Sequence, residues 1–289
     1  MARPSKRAFV TLRFLLLLVA TLVVLVPFLN MVCTAFSSER EVYLNPGRAI
    51  WVPDPIRPDN VRRAFTFPNI NFLRSFRNTM FIIAFNVTTT TIVSSWVAFG
   101  FARVRFKLRR ILFVLMLSTM MIPYQVRLVP LFIAFTRLHW VNTFMPLIIW
   151  GFFGSPFYIF LIRQFLKGIP QELVDAARMD GYGNYRIFWR IAFPQLTPVL
   201  TAVAVFVFIG EWNNLMGPLI YLREERLFTV AMELNRFQSL VSVSHVAQLP
   251  LTNLLMAAAL ITMAPPTLIF LAGQKHFLKG LDISSGLKG

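Results

Sequence analysis

Residues 170–194, with the sequence PQELVDAARMDGYGNYRIFWRIAFP, form a long polar segment between two strongly apolar blocks. Pro170 suits the first position of a helix, where a missing N–H costs nothing, and Glu172 places negative charge in the first turn. Gly181 and Gly183 then offer the left-handed conformation that ends a helix. The segment therefore predicts a short helix and a turn, followed by a second helical run that stops at its closing proline.

The rest of the chain is too apolar for an ordinary soluble domain. Of its 289 residues, 56% are hydrophobic and only 14% are charged, and the charged residues gather between apolar blocks. The net charge of +17 would fit a nucleic-acid-binding domain, but such a domain would not carry several apolar stretches of about 20 residues. The composition predicts a polytopic helical membrane protein that does not bind nucleic acid.

The residue types that carry most catalysis and metal binding are sparse. Cys33 is the single cysteine, so the chain has no internal disulfide and no cysteine-rich metal site. The three histidines, at 139, 245 and 276, have no acid at a suitable short spacing. No Gly-x4-Gly-Lys-Ser/Thr phosphate loop occurs. We expect no catalytic residue, no metal site and no cofactor bound by this chain.

Hydropathy divides the chain into six predicted membrane helices. We expect a cytoplasmic N-terminus at residues 1–11, a first membrane helix at 12–36, an extracytoplasmic loop at 37–75, a core of five further membrane helices at 76–273 and a cytoplasmic tail at 274–289. Within the core, the helices are expected at about 76–102, 111–123, 142–165, 196–221 and 250–273. The pair Pro265-Pro266 should kink the last of them.

Basic residues set the predicted orientation of these helices. The short segment 103–110, between the second and third helices, carries five basic residues and no acid. More than half of the 29 Lys and Arg residues fall in segments that this arrangement places inside the cell. By the positive-inside rule, both termini and the polar segment, taken as residues 167–195, lie in the cytoplasm.

The polar segment resembles the cytoplasmic signature loop of permease subunits in bacterial ABC importers, known as the EAA loop. The family pattern is Glu-Ala-Ala, three residues, Gly, nine residues and Ile-x-Leu-Pro. The chain keeps every spacing at Asp175-Ala176-Ala177, Gly181, Ile191 and Pro194, with Asp175 in place of Glu and Phe193 in place of Leu. Taken without the resemblance, the same residues would also fit an amphipathic loop at the membrane surface.

Further stretches are similar to the carbohydrate-uptake branch of this family, which includes the smaller membrane subunit of the maltose transporter. These stretches are Arg77-Asn78-Thr79, Met121-Ile122-Pro123 with Pro130-Leu131, Glu211-Trp212-Asn213-Asn214 with Pro218-Leu219, and the ending Gly286-Leu287-Lys288-Gly289. The resemblance implies the type I ABC importer permease fold, which is all-α with six transmembrane helices and cytoplasmic termini. It also implies a multi-pass protein of the bacterial cytoplasmic (inner) membrane.

The resemblance implies ATP-driven, binding-protein-dependent import of a sugar, expected to be a di- or oligosaccharide, by alternating access. The expected partners are a second, homologous permease subunit, two ATPase subunits that hold ATP and Mg²⁺, an extracytoplasmic solute-binding protein and the lipid membrane. Apolar contacts with the ATPase are expected from Leu173, Ala176, Ala177 and Met179, and polar contacts from Asp175 and Arg178. The whole coupling site comprises Glu172, Leu173, Asp175, Ala176, Ala177, Arg178, Met179, Asp180 and Gly181.

Polar residues in or near the membrane helices are candidates for the substrate path, because a polar group buried in hydrocarbon is costly unless it has a role. These candidates are Asn86, Gln125, Asn213, Asn214 and Asn253, whereas Glu211 is explained by a structural hydrogen bond. An alternative is a permease for glycerol phosphate or another polyol derivative. A secondary transporter or a membrane-embedded enzyme fits less well, and neither would depend on a separate ATPase subunit.

Overall fold

The computed structural model of the protein describes residues 6–44, 51–246 and 251–285. Helices, turns and connecting loops account for these residues, and none of them lies in a β-strand. This is the all-helical architecture that the sequence predicts.

In chain order the described α-helices are α1 (Lys6–Ala35), α2 (Glu39–Leu44), α3 (Asp59–Phe65), α4 (Phe72–Arg103), α5 (Arg109–Ser118), α6 (Tyr124–Arg137), α7 (Met145–Ile148), α8 (Pro156–Lys167), α9 (Gln171–Met179), α10 (Asn184–Ile187), α11 (Phe193–Gln195), α12 (Thr197–Trp212), α13 (Met216–Tyr221), α14 (Val230–Val246) and α15 (Thr252–Ser285). Short 3₁₀ segments lie at Thr119–Met121, Ile149–Phe153 and Glu225–Leu227, and a π-helical turn lies at Phe188–Ala192.

Length and apolarity show which helical stretches can cross a bilayer. Four continuous stretches qualify: Leu12–Ala35, Phe72–Arg103, Met145–Lys167 and Thr252–Gln274. Two bent pairs qualify together, Arg109–Met121 with Tyr124–Arg137 at 95° and Asn184–Gln195 with Thr197–Trp212 at 78°. A straight span needs about 20 residues, and each member of a pair is shorter than that. The described residues therefore provide four spans, or the predicted six when each bent pair counts as one.

The structure interrupts one of the predicted spans. The third span ends where it was predicted: after the 3₁₀ segment at Thr119–Met121 the chain turns sharply, and α6 begins directly behind Pro123. The predicted fifth span is divided, because α12 stops at Trp212 and α13 starts at Met216. The side chain of Asn214 accepts a hydrogen bond of 3.1 Å from the backbone N–H of Gly217 and so favours a new helix start at this break.

Two compact units can be described separately, and the first comprises Met1–Phe72 and Glu233–Ala264. Asn60 is fully buried in this unit, and its Nδ2 donates to the carbonyl oxygens of Ala35 at 2.9 Å and Ser37 at 2.8 Å. Asn253, also fully buried, donates to the same Ser37 carbonyl at 3.2 Å. These bonds satisfy carbonyls at the C-terminal end of α1, which the helix itself leaves without partners.

Helix α1 exposes nearly all of its apolar surface. Within the stretch Leu12–Ala35, the most apolar window has no residue buried inside the chain. Such a continuous apolar surface is unfavourable in water, so it indicates contact with lipid or with another protein.

The second unit comprises Leu73–Met232 and Pro265–Gly289. Its largest core cluster joins residues of α4, α8, α9, α10 and α12 with the buried side chain of Phe188. At the start of α4, Asn78 donates to the carbonyls of Arg226 at 2.9 Å and Phe228 at 3.0 Å. The hydroxyl of Thr79 accepts from the backbone N–H of Val230 at 2.9 Å. The Asn-Thr pair therefore fixes the entry of α4 against the segment before α14.

A hydrogen-bonded junction connects two loops of the second unit. Asn142 has a left-handed φ of 65°, and its Oδ1 accepts from the backbone N–H groups of Arg223 at 3.1 Å and Glu224 at 3.0 Å. Its Nδ2 donates to the Glu224 carboxylate at 2.6 Å, and the guanidinium of Arg226 donates to the same carboxylate. The hydrogen bond from Arg226, followed by that from Asn142, lowers the pKa of Glu224 below its usual value.

Candidate coupling loop and polar pocket

Helix α9 occupies the place of the predicted coupling helix. It begins at Gln171, because Pro170 has an extended backbone with ψ 134° and precedes the helix instead of starting it. Glu172 lies in the first turn and Arg178 in the last turn, where their charges complement the helix dipole. The helix therefore starts one residue later than the position expected for Pro170, and it ends at Met179, two residues before Gly181.

A glycine ends α9. Gly181 has a left-handed φ of 78°, and its N–H donates to the carbonyl of Arg178 at 3.0 Å. The N–H of Tyr182 donates to the carbonyl of Ala177 at 2.9 Å, so both carbonyls at the helix end are satisfied. The prediction for Gly181 is confirmed. Gly183 has φ −73° in an extended conformation, and its predicted left-handed role is wrong.

One face of α9 packs against its own chain. Val174 and Ala177, three residues apart, are 2% and 5% exposed and belong to the core cluster shared with α8 and α12. Leu173 is 47% exposed, Met179 is 89% exposed and Ala176 is also exposed. The expected apolar contact through Ala177 needs correction, since this side chain is a core residue. The other three apolar side chains lie on the accessible surface.

Arg103, the last residue of α4, ties α9 to two long helices. Its guanidinium donates to the carbonyl oxygens of Leu166 and Ile169 and to the side-chain oxygen of Gln171. The residue is buried. The Leu166 carbonyl, in the last turn of α8, also accepts from the backbone N–H of Ile169 at 3.2 Å, and Ile169 lies two residues beyond the helix. Hydrogen bonds from a charged donor are stronger than neutral ones, so Arg103 fixes the position of the start of α9.

Asp175 and Arg178 have partners within the chain. Arg178 forms an ion pair with Asp175 at 3.1 Å, and its second nitrogen donates to the carbonyl of Arg103 at 3.1 Å. Gln171 donates to the same Asp175 oxygen at 3.1 Å. The polar residues that were expected to reach an ATPase therefore also order the loop itself. Two further acids, exposed on this segment, are Glu172 and Asp180.

The second helical run contains a π turn. Helix α10 passes through the π turn Phe188–Ala192 into α11. Pro194 lies inside α11, and the run ends one residue later at Gln195, where the chain bends by 78° into α12, so the predicted stop is displaced by one residue. Pro194 stands in the first turn of a new helical segment, where its missing N–H is tolerated. The buried ring of Phe188 packs edge-on against the rings of Trp96 and Trp189, with centroid distances of 4.6 Å and 4.8 Å. These contacts anchor the π turn in the protein core.

A separate pocket of about 210 Å³ lies among α4, α8, α12 and the 3₁₀ segment before α8. Polar and aromatic side chains line it, together with glycines and one valine: Asn86, Thr90, Trp150, Gly151, Gly154, Ser155, Tyr158, Phe206, Val207, Gly210 and Glu211.

Asn86 and Glu211 meet at the wall of this pocket. Asn86 Nδ2 donates to Glu211 Oε1 at 2.9 Å and to the carbonyl of Leu147 at 3.0 Å. Asn214 donates to the second Glu211 oxygen over a longer distance of 3.4 Å. The expectation that Glu211 takes part in a structural hydrogen bond is confirmed, and Glu211 lies in the last turn of α12.

The other predicted path residues are dispersed. Gln125 is exposed on α6, and Asn213 is exposed at the end of α12, where it donates to the carbonyl of Ile209 at 2.9 Å. Asn253 belongs to the first unit and binds the Ser37 carbonyl. Only Asn86 among the predicted path residues lines the pocket, and Asn214 reaches it through Glu211.

Two features of the site are not evident from the sequence. In the sequence, Arg103 is one of the basic residues that set membrane orientation, and its signal is its position as the last residue of an apolar stretch, with Val104 between it and the next arginine. The sequence does not indicate Tyr158 and Ser155 as pocket residues, because only the fold brings α8 beside Asn86.

Comparisons with known proteins agree on one family. The family model described as "Binding-protein-dependent transport system inner membrane component" matches residues 90–283. The arabinooligosaccharides transport system permease protein AraQ of Halalkalibacterium halodurans is 31% identical over 263 residues, which cover 91% of each chain. The melibiose/raffinose/stachyose import permease protein MelC of Bacillus subtilis is 34% identical over 217 residues, covering 74% of this chain and 76% of MelC.

A solved structure has the same fold. It is the crystal structure of a bacterial ABC transporter involved in the import of the acidic polysaccharide alginate, and one of its chains matches with a TM-score of 0.81. The match covers 96% of this chain and 99% of that chain at 22% sequence identity.

Proposed function

The chain belongs to the family of inner membrane components of binding-protein-dependent transport systems, and we propose that it forms the path by which an ATP-driven importer moves a sugar across the cytoplasmic membrane. It is a multi-pass membrane permease subunit and not an enzyme. The observation that carries the coupling part of the proposal is the geometry of α9, which buries one face in its own core and exposes Leu173 and Met179.

The names of the relatives support a sugar as the substrate class. AraQ is named for arabinooligosaccharides, and MelC for melibiose, raffinose and stachyose. A di- or oligosaccharide is therefore the substrate that we propose for this chain.

The charge distribution supports cytoplasmic termini and a cytoplasmic position for α9. Basic residues cluster between α4 and α5, in the segment 103–110, and acids are absent from it. Positively charged loops of this kind remain on the cytoplasmic side. On this orientation α9 faces the compartment that contains ATP.

We propose partners that complete the importer: a second homologous permease subunit, two ATPase subunits that bind ATP and Mg²⁺, and an extracytoplasmic solute-binding protein. The sequence supports this division because it contains no phosphate-binding loop of its own. The exposed apolar surface of α1 offers a large area for lipid or a second membrane subunit.

The contacts of α9 suggest how a movement of the loop reaches the membrane helices. Val174 and Ala177 pack into the cluster that contains residues of α8 and α12, so a displacement of α9 displaces these helices. Arg103 adds a hydrogen-bonded connection to α4. Closure of the ATPase subunits would then act on the exposed Leu173 and Met179, and the core would transmit the movement towards the substrate path. Glu172, Asp175, Ala176, Arg178, Asp180 and Gly181 complete the proposed coupling site.

The proposal is tested by co-purification from a host that expresses the chain with its candidate partner subunits. We would compare the wild type with Leu173→Glu and Met179→Glu, and use Val52→Glu as the matched control, since Val52 is 79% exposed in another segment. We expect both α9 variants to remain folded, lose the ATPase subunits and lose sugar-stimulated ATP hydrolysis. Retention of the ATPase at wild-type level in both variants would refute the assigned contact surface. A wild-type chain that purifies without any ATPase would refute the importer proposal itself.

A further inference from the structure

We infer that the pocket among α4, α8 and α12 binds one ring of the transported sugar within this chain. The inference rests on the proposed function for its substrate class, whereas its location comes from the geometry of Asn86 and Glu211. It places a substrate-selecting site in this subunit instead of leaving selection to its partners.

The first argument is an acceptor without a donor. Asn86 is 2% exposed, and no donor among the described residues lies within hydrogen-bond distance of its Oδ1. The amide cannot exchange its two ends by flipping, because Nδ2 already donates both to Glu211 and to the carbonyl of Leu147. A buried polar atom in this state is costly and calls for a donor from a ligand or water.

The second argument is the carboxylate beside this acceptor. Oε1 of Glu211 accepts from Asn86, whereas among the described residues Oε2 has the long contact of 3.4 Å from Asn214. A carboxyl oxygen has two lone pairs, so capacity for a further hydrogen bond remains. Two acceptors from different helices match a ligand that presents two neighbouring hydroxyl donors.

The third argument is the size and the apolar lining of the pocket. Ligand sites combine apolar and aromatic walls with a few placed polar groups, and they commonly enclose about 300–1,000 Å³. The volume here, about 210 Å³, is below that range and fits a single sugar ring rather than a whole oligosaccharide. Trp150 and Phe206 supply aromatic surface, and Thr90, Ser155 and Tyr158 supply further hydroxyl groups.

The inference is tested by protection of an engineered cysteine in the assembled importer. Cys33 is the only native cysteine, so Cys33→Ala gives a cysteine-free background. In that background, Ser155→Cys places a thiol at the pocket wall, and Asn213→Cys places a control thiol at an exposed position outside the lining. The rate of reaction with a small methanethiosulfonate reagent is measured for the complex in nanodiscs, with arabino-oligosaccharides, melibiose, raffinose or stachyose added in turn.

We expect the sugar that stimulates ATP hydrolysis to slow the labelling of Ser155→Cys several-fold and to leave that of Asn213→Cys unchanged. Adding Asn86→Leu, which keeps the approximate volume but removes the acceptor, should raise the sugar concentration for half-maximal protection about tenfold, as expected for the loss of one hydrogen bond. As a folding control, Asn253→Leu removes a buried amide that also has an oxygen without a donor but lies outside the pocket lining. It should leave the protection curve unchanged.

Two outcomes would overturn the inference. One is that a sugar stimulates ATP hydrolysis by the complex without protecting Ser155→Cys, in which case the importer proposal stands and the pocket is not its site. The other is that protection is unaltered by Asn86→Leu. Failure of the proposed function is recognised separately, because the ATPase subunits then do not co-purify and no sugar stimulates hydrolysis.

Discussion

Replacement of Arg103 by glutamine should loosen α9 without unfolding the rest of the chain. Arg103 donates to the Leu166 and Ile169 carbonyls and to the Gln171 side chain, and its own carbonyl accepts from Arg178. Glutamine has one shorter amide in place of the five-donor guanidinium, so it cannot serve all three acceptors. The Ile169 carbonyl then loses its donor, whereas the Leu166 carbonyl keeps the backbone N–H of Ile169 at 3.2 Å.

The size of the effect follows from the Ile169 carbonyl. An acceptor deprived of its partner costs about 1–2 kcal/mol, so the free energy of opening α9 should fall by about 1–2 kcal/mol. Because 1.4 kcal/mol corresponds to a factor of ten, amide hydrogen exchange in residues 171–179 should accelerate about 5-fold to 30-fold. Exchange in the fully packed parts of α12 should remain close to that of the wild type.

The assay is hydrogen exchange followed by mass spectrometry on the purified complex, with Arg105→Gln as the matched control. Arg105 is an exposed arginine two residues further along the chain. Arg103→Lys should give an intermediate rate, since a single ammonium group cannot reach three acceptors in the geometry of a guanidinium. The reasoning is refuted if residues 171–179 exchange within threefold of the wild type in Arg103→Gln, or if Arg105→Gln has the same effect.

The remaining predictions concern turns and loops and are checked by thermal unfolding of the purified complex. Gly181→Ala should destabilise the loop by about 1–2 kcal/mol, because alanine is strained at the φ of 78°, whereas Gly183→Ala, at φ −73°, should change stability by less than about 0.5 kcal/mol. Gly151→Ala should cost about 1–3 kcal/mol because the new methyl group would overlap the hydroxyl of Thr89, and Thr89→Ala should partly restore stability. The pKa of Glu224 is lowered in the folded chain, so the carboxylate stabilises the fold at pH values above the pKa of the unfolded chain, and this stabilisation is lost as pH falls through the folded pKa. Glu224→Gln should therefore remove this loss of stability at acid pH. Equal acid sensitivity of Glu224→Gln and the wild type would contradict this last expectation.

The sequence predicts the features that depend on local chemistry. The bounds of α9 lie within two residues of Pro170 and Gly181, because both act on the backbone of their immediate neighbours. The long apolar stretches are found as helices for a similar reason, since a run of about 20 apolar residues has few alternatives in a bilayer.

Features that depend on distant residues could not be predicted in this way. The π turn in the run after Gly183 packs through Phe188 against Trp96, which is 92 positions earlier. The pocket has the same origin. Asn86 and Glu211 are recognisable as polar residues in apolar stretches, but only the packing of α4 against α12 brings them to 2.9 Å.

The positions of the signature loop fall into two groups, those that pack against their own subunit and those that are exposed. Of its Asp-Ala-Ala triplet, Ala177 is buried in the core and Asp175 pairs with Arg178, so these two positions specify how the loop folds onto its own subunit. Ala177 leaves room for close packing beside Val174, and the acid at position 175 orients the arginine that bonds the carbonyl of Arg103. The exposed side chains of α9 lie outside that framework. On the proposed coupling, a partner ATPase would be matched by changes at Leu173 and Met179 while the positions that connect α9 to the membrane helices stay the same.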